Sequence, residues 1–108
     1  MDNSDTRVVL HLTFRVAKDT RGRIIDFVRS AAKFYERPGG IRVRLLQSTQ
    51  EPEVFIEVIE YDNWSKYCED AARLESDETM KSYIEEWRSL LLAPAKIEVF
   101  TEPALGKN

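Results

Sequence analysis

Four segments with the residue pattern of β-strands are separated by helical segments, in an order that strongly limits the fold. The strand patterns are rich in β-branched and aromatic residues and occupy residues 7–17, 41–48, 54–61 and 96–101. One helical pattern lies between the first two strands and two lie between the last two. The order β-α-β-β-α(α)-β is a doubled split βαβ unit. It predicts an α+β, ferredoxin-like domain, in which a four-stranded antiparallel sheet carries helices on one face.

The predicted helices have recognisable start and stop signals. Each begins after residues whose side chains can cap an N-terminus: Asp19 or Thr20, Asp62 or Asn63, and Ser76 or Asp77. The first ends at the turn 38–40, Pro-Gly-Gly, and the last ends before Pro94. In the third helix an apolar stripe at helical spacing indicates the buried face: Met80, Ile84, Trp87 and Leu91.

Length and composition predict one domain without a metal or cofactor. The 108 residues suit a single domain at 7–101, with a frayed or disordered N-terminus at 1–6 and a tail at 102–108. One cysteine and one histidine exclude a disulfide framework, a multi-cysteine zinc site and an HExxH metal site. No apolar run approaches the roughly 20 residues that span a bilayer, and the polar N-terminus does not resemble a signal peptide. We therefore expect a cytoplasmic protein with no membrane partner.

One face of the predicted sheet has nothing in the chain to cover it. In the first strand the apolar positions Val8, Leu10, Leu12 and Phe14 alternate with a mixed set. Depending on register, the uncovered face would carry Val9, His11, Arg15, Arg42, Arg44, Phe55 or its neighbours, and Tyr61. A mixed face that includes apolar residues favours burial against a second copy. We expect a homodimer whose two sheets close into a barrel.

The spacing of several short segments resembles the dimeric α+β barrel superfamily. These segments are AKDT after the first strand, RPGGIRV at the first helix end, EYDNWSKY after the hairpin, and ESDETM at the third helix start. The resemblance covers roughly residues 7–101. Within the superfamily, the chain is similar in the arrangement of its elements to antibiotic-biosynthesis monooxygenase-like and NIPSNAP-like proteins. It implies a dimeric barrel, often with a ligand cavity between sheet and helices. The helical segment at 67–81 has no histidine, so the haem-degrading members of the superfamily are a poor match.

Two residues are candidates for catalysis and four for substrate binding. His11 titrates near neutral pH and could take a proton from a phenol or enol, and Tyr61 could offer a hydroxyl to a bound oxygen atom. Arg15, Arg42 and Arg44 could bind an anionic substituent, and Trp64 could line an aromatic pocket.

Each candidate also has a purely structural interpretation. His11 could be a hydrogen-bonded residue at the dimer interface. Arg42 and Arg44 could be exposed or paired with Glu57 and Glu98 on neighbouring strands. Tyr61, Tyr67 and Trp87 could be core aromatics, and we expect Cys68 to be a small buried residue.

The favoured function is binding of a small, hydrophobic, oxygenated ligand, with cofactor-independent oxygenation or isomerisation as the activity. The alternative is a non-catalytic homodimeric accessory or stress-related protein, whose polar sheet residues would pair with one another and leave no cavity. Nucleic-acid binding by the basic first helix is a weaker alternative, because the chain has a net charge of −3 and that face lacks interleaved aromatics.

Overall fold

The computed structural model describes residues 6–103 and 105, and confirms the predicted order of elements. The four strands are β1 Val8–Arg15, β2 Ile41–Gln47, β3 Val54–Tyr61 and β4 Lys96–Thr101. The helices are α1 Arg21–Tyr35, α2 Trp64–Ser76 and α3 Glu78–Ser89, and a 3-10 turn, Lys18–Thr20, precedes α1. The expectations for residues 1–5, 104 and 106–108 lie outside the described residues.

The strands form one antiparallel sheet in the order β2-β3-β1-β4, as a ferredoxin-like fold requires. Val8 of β1 is opposite Tyr61 of β3, and Phe14 is opposite Phe55. Tyr61 is in turn opposite Ile41 of β2. These side chains share the face that the helices cover, and all five are buried.

Among the helices, α1 and α3 contribute buried residues to the core, whereas α2 contributes none. On α1 the buried positions recur at helical spacing: Ile24, Val28, Ala31, Phe34 and Tyr35. On α3, Met80 and Trp87 are buried, while Ile84 is half-buried. The prediction that Cys68 is buried was wrong: the thiol is exposed because α2 stands away from the densely packed core.

The predicted caps of α2 and α3 are confirmed. The Asn63 side chain accepts a hydrogen bond from the Lys66 amide at 2.9 Å. Asp77 Oδ1 accepts from the amides of Thr79 at 2.9 Å and Met80 at 3.1 Å. Thr20 precedes α1, but its side chain makes no capping bond, because the 3-10 turn leads directly into the helix.

The uncovered sheet face differs from the prediction at β3. Tyr61 lies on the helix-covered face, so its predicted place on the open face was wrong. The prediction for the start of β3 was Phe55 or its neighbours, and Phe55 lies on the covered face. The neighbours of Phe55, Val54 and Ile56, lie on the open face instead. Strand β3 is apolar in both phases of its alternation, so periodicity alone does not choose between its faces.

The turn between α1 and β2 depends on two glycines. Gly39 and Gly40 have φ values of 85° and 76°. This left-handed backbone is strained for residues with a side chain, so the two glycines allow the chain to reverse directly into β2.

In the described part of the chain, no helix is both long enough and apolar enough to cross a membrane.

Candidate functional site

A cavity of about 240 Å³ lies between the helix-covered face of the sheet and the three helices. Its walls are mostly apolar, with a few polar groups among them. The sheet contributes Leu10, Leu12, Glu57, Ile59, Tyr61, Ile97 and Val99. The helices contribute Tyr35, Tyr67, Asp70, Ala71, Leu74, Met80, Ile84, Trp87 and Arg88. An apolar concavity with few polar groups is typical of a small-molecule site.

The cavity is open at one end and closed at the other. Leu74 of α2 and Ile97 and Val99 of β4 line it, yet 43%, 59% and 46% of their surfaces are exposed. They mark the mouth, since α2 leaves edge strand β4 uncovered. Glu57 and Met80 also line the cavity but are 4% and 1% exposed, which places them at its closed end.

The carboxyl group at the closed end belongs to Glu57, which lies in the middle of β3. Its neighbours across the sheet are Leu12 on β1 and Leu45 on β2. Burial in these apolar surroundings raises the pKa of the Glu57 carboxyl to about 7. A carboxyl in this range can both accept and return a proton near neutral pH.

A second polar feature of the cavity wall is a chain of two hydrogen bonds between side chains, which connects β3 to α2. The Tyr61 hydroxyl donates to Asp70 Oδ2 at 2.6 Å, and Arg73 Nη1 donates to Asp70 Oδ1 at 3.3 Å. Burial, together with the nearby Asp70 carboxylate, raises the pKa of Tyr61, so its hydroxyl stays protonated. This chain fixes α2 to the sheet beside the cavity.

Two further groups border the cavity with unused donor capacity. Tyr35 and Glu57 line the same cavity, and the pKa of Tyr35 is raised first by burial and then by the charge of Glu57. Within the described residues the Tyr35 hydroxyl forms no hydrogen bond, whereas the Trp87 indole N–H is fully buried without a partner.

The structure places His11 on the open face of the sheet, away from the cavity. His11 is opposite Val58 on β3 and Glu98 on β4. Its ring packs edge-on against Phe100, with the ring centroids 4.9 Å apart. Tyr61 lies on the opposite face, so the prediction that His11 and Tyr61 serve one site was wrong for a single subunit.

The three candidate arginines form ion pairs on the same open face, the alternative that the sequence left open. Arg15 Nη1 lies 2.9 Å from Glu53 Oε2. Arg44 Nη2 lies 2.9 Å from Glu60 Oε2, and Arg42 contacts the same carboxylate at 3.3 Å.

The predicted acidic partners of these arginines were wrong. Glu57 faces the cavity, and Glu60, three residues later, takes its place as the partner of Arg42 and Arg44. Glu98 lies 3.8 Å from Lys96 instead. Trp64 is 41% exposed at the start of α2 and packs against Tyr67, outside the cavity lining.

Glu57, Asp70 and Tyr35 are polar cavity residues that the sequence did not identify as site residues. One signal could have found Glu57: it shares the alternation phase of Phe55, Ile59 and Tyr61, so a carboxylate stands among apolar side chains. Asp70 gives no comparable signal, since acidic residues are frequent on α2. Over the described ranges, no group of three or more histidine, cysteine and acidic residues is arranged to hold a metal ion.

Comparison with solved structures identifies the class of this fold. The chain has the α+β ferredoxin-like fold of the antibiotic biosynthesis monooxygenase-like proteins, which confirms that part of the resemblance seen in the sequence. The resemblance to NIPSNAP-like proteins stays a prediction. No family model matches the sequence, and no curated protein does.

Three solved structures illustrate this similarity. SnoaB from Streptomyces nogalater, a cofactor-independent oxygenase, has a TM-score of 0.75 at 16% identity, over 94% of this chain and 98% of its own. A protein from Nitrosomonas europaea, described as a candidate antibiotic biosynthesis monooxygenase, has a TM-score of 0.73 at 17% identity, over 94% of each chain. A conserved protein of unknown function from Bacteroides thetaiotaomicron, described as a possible oxidoreductase, has a TM-score of 0.74 at 16% identity, over 92% of this chain and 100% of its own. Identities this low show a shared fold only.

Proposed function

We propose that the protein binds a small, largely apolar, oxygenated molecule in the cavity between sheet and helices. In this proposal it acts on the molecule as a cofactor-independent oxygenase or isomerase in the cytoplasm. The supporting observation is the cavity itself: an apolar space of about 240 Å³ that holds a buried carboxyl and a tyrosine–aspartate hydrogen bond. Sites for drug-sized ligands measure roughly 300 to 1,000 Å³, so the size favours a ligand of one or two rings.

The structural neighbours add support of a different kind. SnoaB is a cofactor-independent oxygenase with the same fold. Fold alone does not transfer activity, so the argument depends on the cavity of this chain.

The proposed molecule is a homodimer that pairs its open sheet faces. On that face Phe100 and Leu46 are 44% and 46% exposed, and His11 packs beside Phe100. Burial of these side chains against a second copy would remove apolar surface from water. A catalytic role for His11, or anion binding by Arg15, Arg42 and Arg44, would then act at the subunit interface and remains a separate proposal.

Native mass spectrometry of freshly purified protein, beside a denatured control, tests the ligand proposal. Two alanines on α2 provide a matched pair: Ala71 lines the cavity and Ala72 does not, although both are exposed. We expect a non-covalent adduct on the wild type and on Ala72→Phe, and none on Ala71→Phe, because the larger side chain fills the cavity. An adduct that persists on Ala71→Phe would place the ligand elsewhere.

The non-catalytic alternative has one observation in its favour. It predicts that polar residues on the open face pair with one another, as the arginine–glutamate pairs do. It also predicts that no cavity is present, which the structure does not bear out. Mass spectra that show a dimer without any adduct for the wild type and both variants would favour this alternative.

A further inference from the structure

We propose that Glu57 removes a proton from the cavity ligand while the Tyr35 hydroxyl donates a hydrogen bond to the oxygen that becomes negative. The substrates would be neutral carbon acids or phenols of one or two rings. This inference deepens the proposed function and depends on the cavity being a ligand site.

The position of Glu57 gives it a free carboxylate at the cavity wall. Its side chain is 96% removed from solvent, since 4% of its surface is exposed, yet it lines the cavity. Its cross-strand neighbours Leu12 and Leu45 offer no hydrogen bond. Among the described residues no hydrogen bond to the Glu57 carboxyl is found, so this group is available to a ligand in the cavity that it lines. A carboxyl that is removed from bulk solvent and has no protein partner calls for an explanation, and a ligand in the cavity would supply one.

The charges around Glu57 favour a neutral ligand. The groups facing the cavity are Tyr35 from α1, Tyr67 and Asp70 from α2, Arg88 from α3 and Tyr61 from β3. Asp70 adds a second negative charge, which Arg73 balances at 3.3 Å. Arg88 is exposed at the surface rather than buried at the closed end. A ligand that arrives as an anion would meet repulsion near Glu57, whereas a neutral ligand would not.

The proposed step conserves charge inside the cavity. A C–H or O–H bond of the ligand breaks, the proton moves to a Glu57 oxygen, and the electron pair stays on the ligand as an enolate or phenolate. One negative charge is present before and after, so no additional charge is buried. Burial raises the pKa of Glu57 to about 7, which makes its carboxylate a stronger base than an exposed glutamate.

Tyr35 is suited to stabilise the anion that forms. Its pKa is raised by burial, so the hydroxyl remains protonated at neutral pH. Within the described chain its proton is not donated elsewhere, whereas the Tyr61 proton is held by Asp70. A donor placed beside a developing negative charge stabilises the transition state. Return of the proton from Glu57 to a carbon of the ligand completes either exchange or isomerisation.

Hydrogen–deuterium exchange of 2-tetralone in D2O, followed by NMR, tests this step. This bicyclic ketone is neutral and has acidic C–H bonds beside its carbonyl. We expect the wild type to accelerate exchange, and Glu57→Gln to lose roughly 100-fold or more, the usual contribution of a general base. Glu57→Asp should retain part of the rate because it keeps a carboxylate.

Two other variants separate catalysis from structure. Glu60→Gln removes a carboxyl from the open face of the same strand, and its rate should stay within about twofold of the wild type. Tyr35→Phe should lower kcat by roughly tenfold or more, with KM nearly unchanged, because the hydrogen bond strengthens only as charge develops. The wild-type rate should rise with pH through about 7, as Glu57 ionises.

Binding measured by tryptophan fluorescence distinguishes the two levels of the proposal, because Trp87 lines the cavity. If the wild type does not bind 2-tetralone, the ligand site and this inference both fail. If the wild type binds without accelerating exchange, or if folded Glu57→Gln exchanges at the wild-type rate, only the role of Glu57 is overturned. An unchanged kcat in Tyr35→Phe would overturn the role of Tyr35.

Discussion

Replacing Glu57 with glutamine should stabilise the protein above pH 7 and have almost no effect near pH 4.5. Burial raises the pKa of Glu57 from 4.5 to about 7. Between these values the folded state therefore binds more protons than the unfolded state, so the free energy of unfolding falls as the pH rises. The carboxyl imposes no penalty well below pH 4.5, and its full penalty is present above pH 7.

The size of this penalty follows from the change in pKa. Each tenfold change in proton affinity corresponds to about 1.4 kcal/mol, so the ionised Glu57 costs the folded state about 3 kcal/mol above pH 7. Glutamine has nearly the same shape and carries no charge, so Glu57→Gln should recover most of this free energy. For a domain of this size the melting temperature at pH 8 should rise by roughly 10 °C or more.

Urea and thermal unfolding of the wild type and Glu57→Gln, at intervals from pH 4.5 to 8.5, measure this effect. Glu60→Gln is the matched control, because Glu60 lies on the open face and is paired with Arg42 and Arg44. It should leave the pH dependence of the wild type intact. Parallel stability curves for the wild type and Glu57→Gln would refute the reasoning, since they would mean that Glu57 titrates alike in both states.

Three further predictions test separate parts of the structure. Asp77→Ala should destabilise the protein by about 1 kcal/mol in urea unfolding, because the α3 cap is lost. Thr20→Ala is the control, and it should leave the free energy of unfolding nearly unchanged, because Thr20 makes no capping bond. Tyr61→Phe should cost about 2 kcal/mol in the same assay, because Asp70 loses a charged hydrogen bond, and no loss would show that solvent satisfies the carboxylate. Phe100→Glu should convert a dimer to monomers in sedimentation velocity, because it places a charge on the open sheet face, and an unchanged dimer would place the interface elsewhere.

The order of elements and their ends could be predicted from the sequence because local signals specify them. The Asn63 and Asp77 caps and the Gly39–Gly40 turn are decided by residues within a few positions of one another. Alternation assigned the faces of β1, where one face is wholly apolar.

The candidate site was not predictable to the same degree because it depends on strand register and helix placement. Strand β3 is apolar in both phases, so the faces of Phe55, Glu57 and Tyr61 are decided by pairing with β1 and β2. The sparse packing of α2, which exposes Cys68 and creates the cavity, reflects how three helices share one sheet. No short sequence pattern within α2 predicts that arrangement.

Helix α2 has no buried residue, and this determines how its backbone exchanges hydrogen with solvent. Few buried contacts resist local opening of such a helix, so its amides should exchange faster than those of the central strands β1 and β3. Several contacts slow this opening: the Tyr61–Asp70 hydrogen bond, the Asn63 cap, the packing of Tyr67 against Tyr61, and the Arg73 guanidinium over the Phe34 ring. Because α2 forms one wall of the cavity, its excursions would admit a ligand while the sheet stays intact, and an occupied cavity would protect α2 selectively.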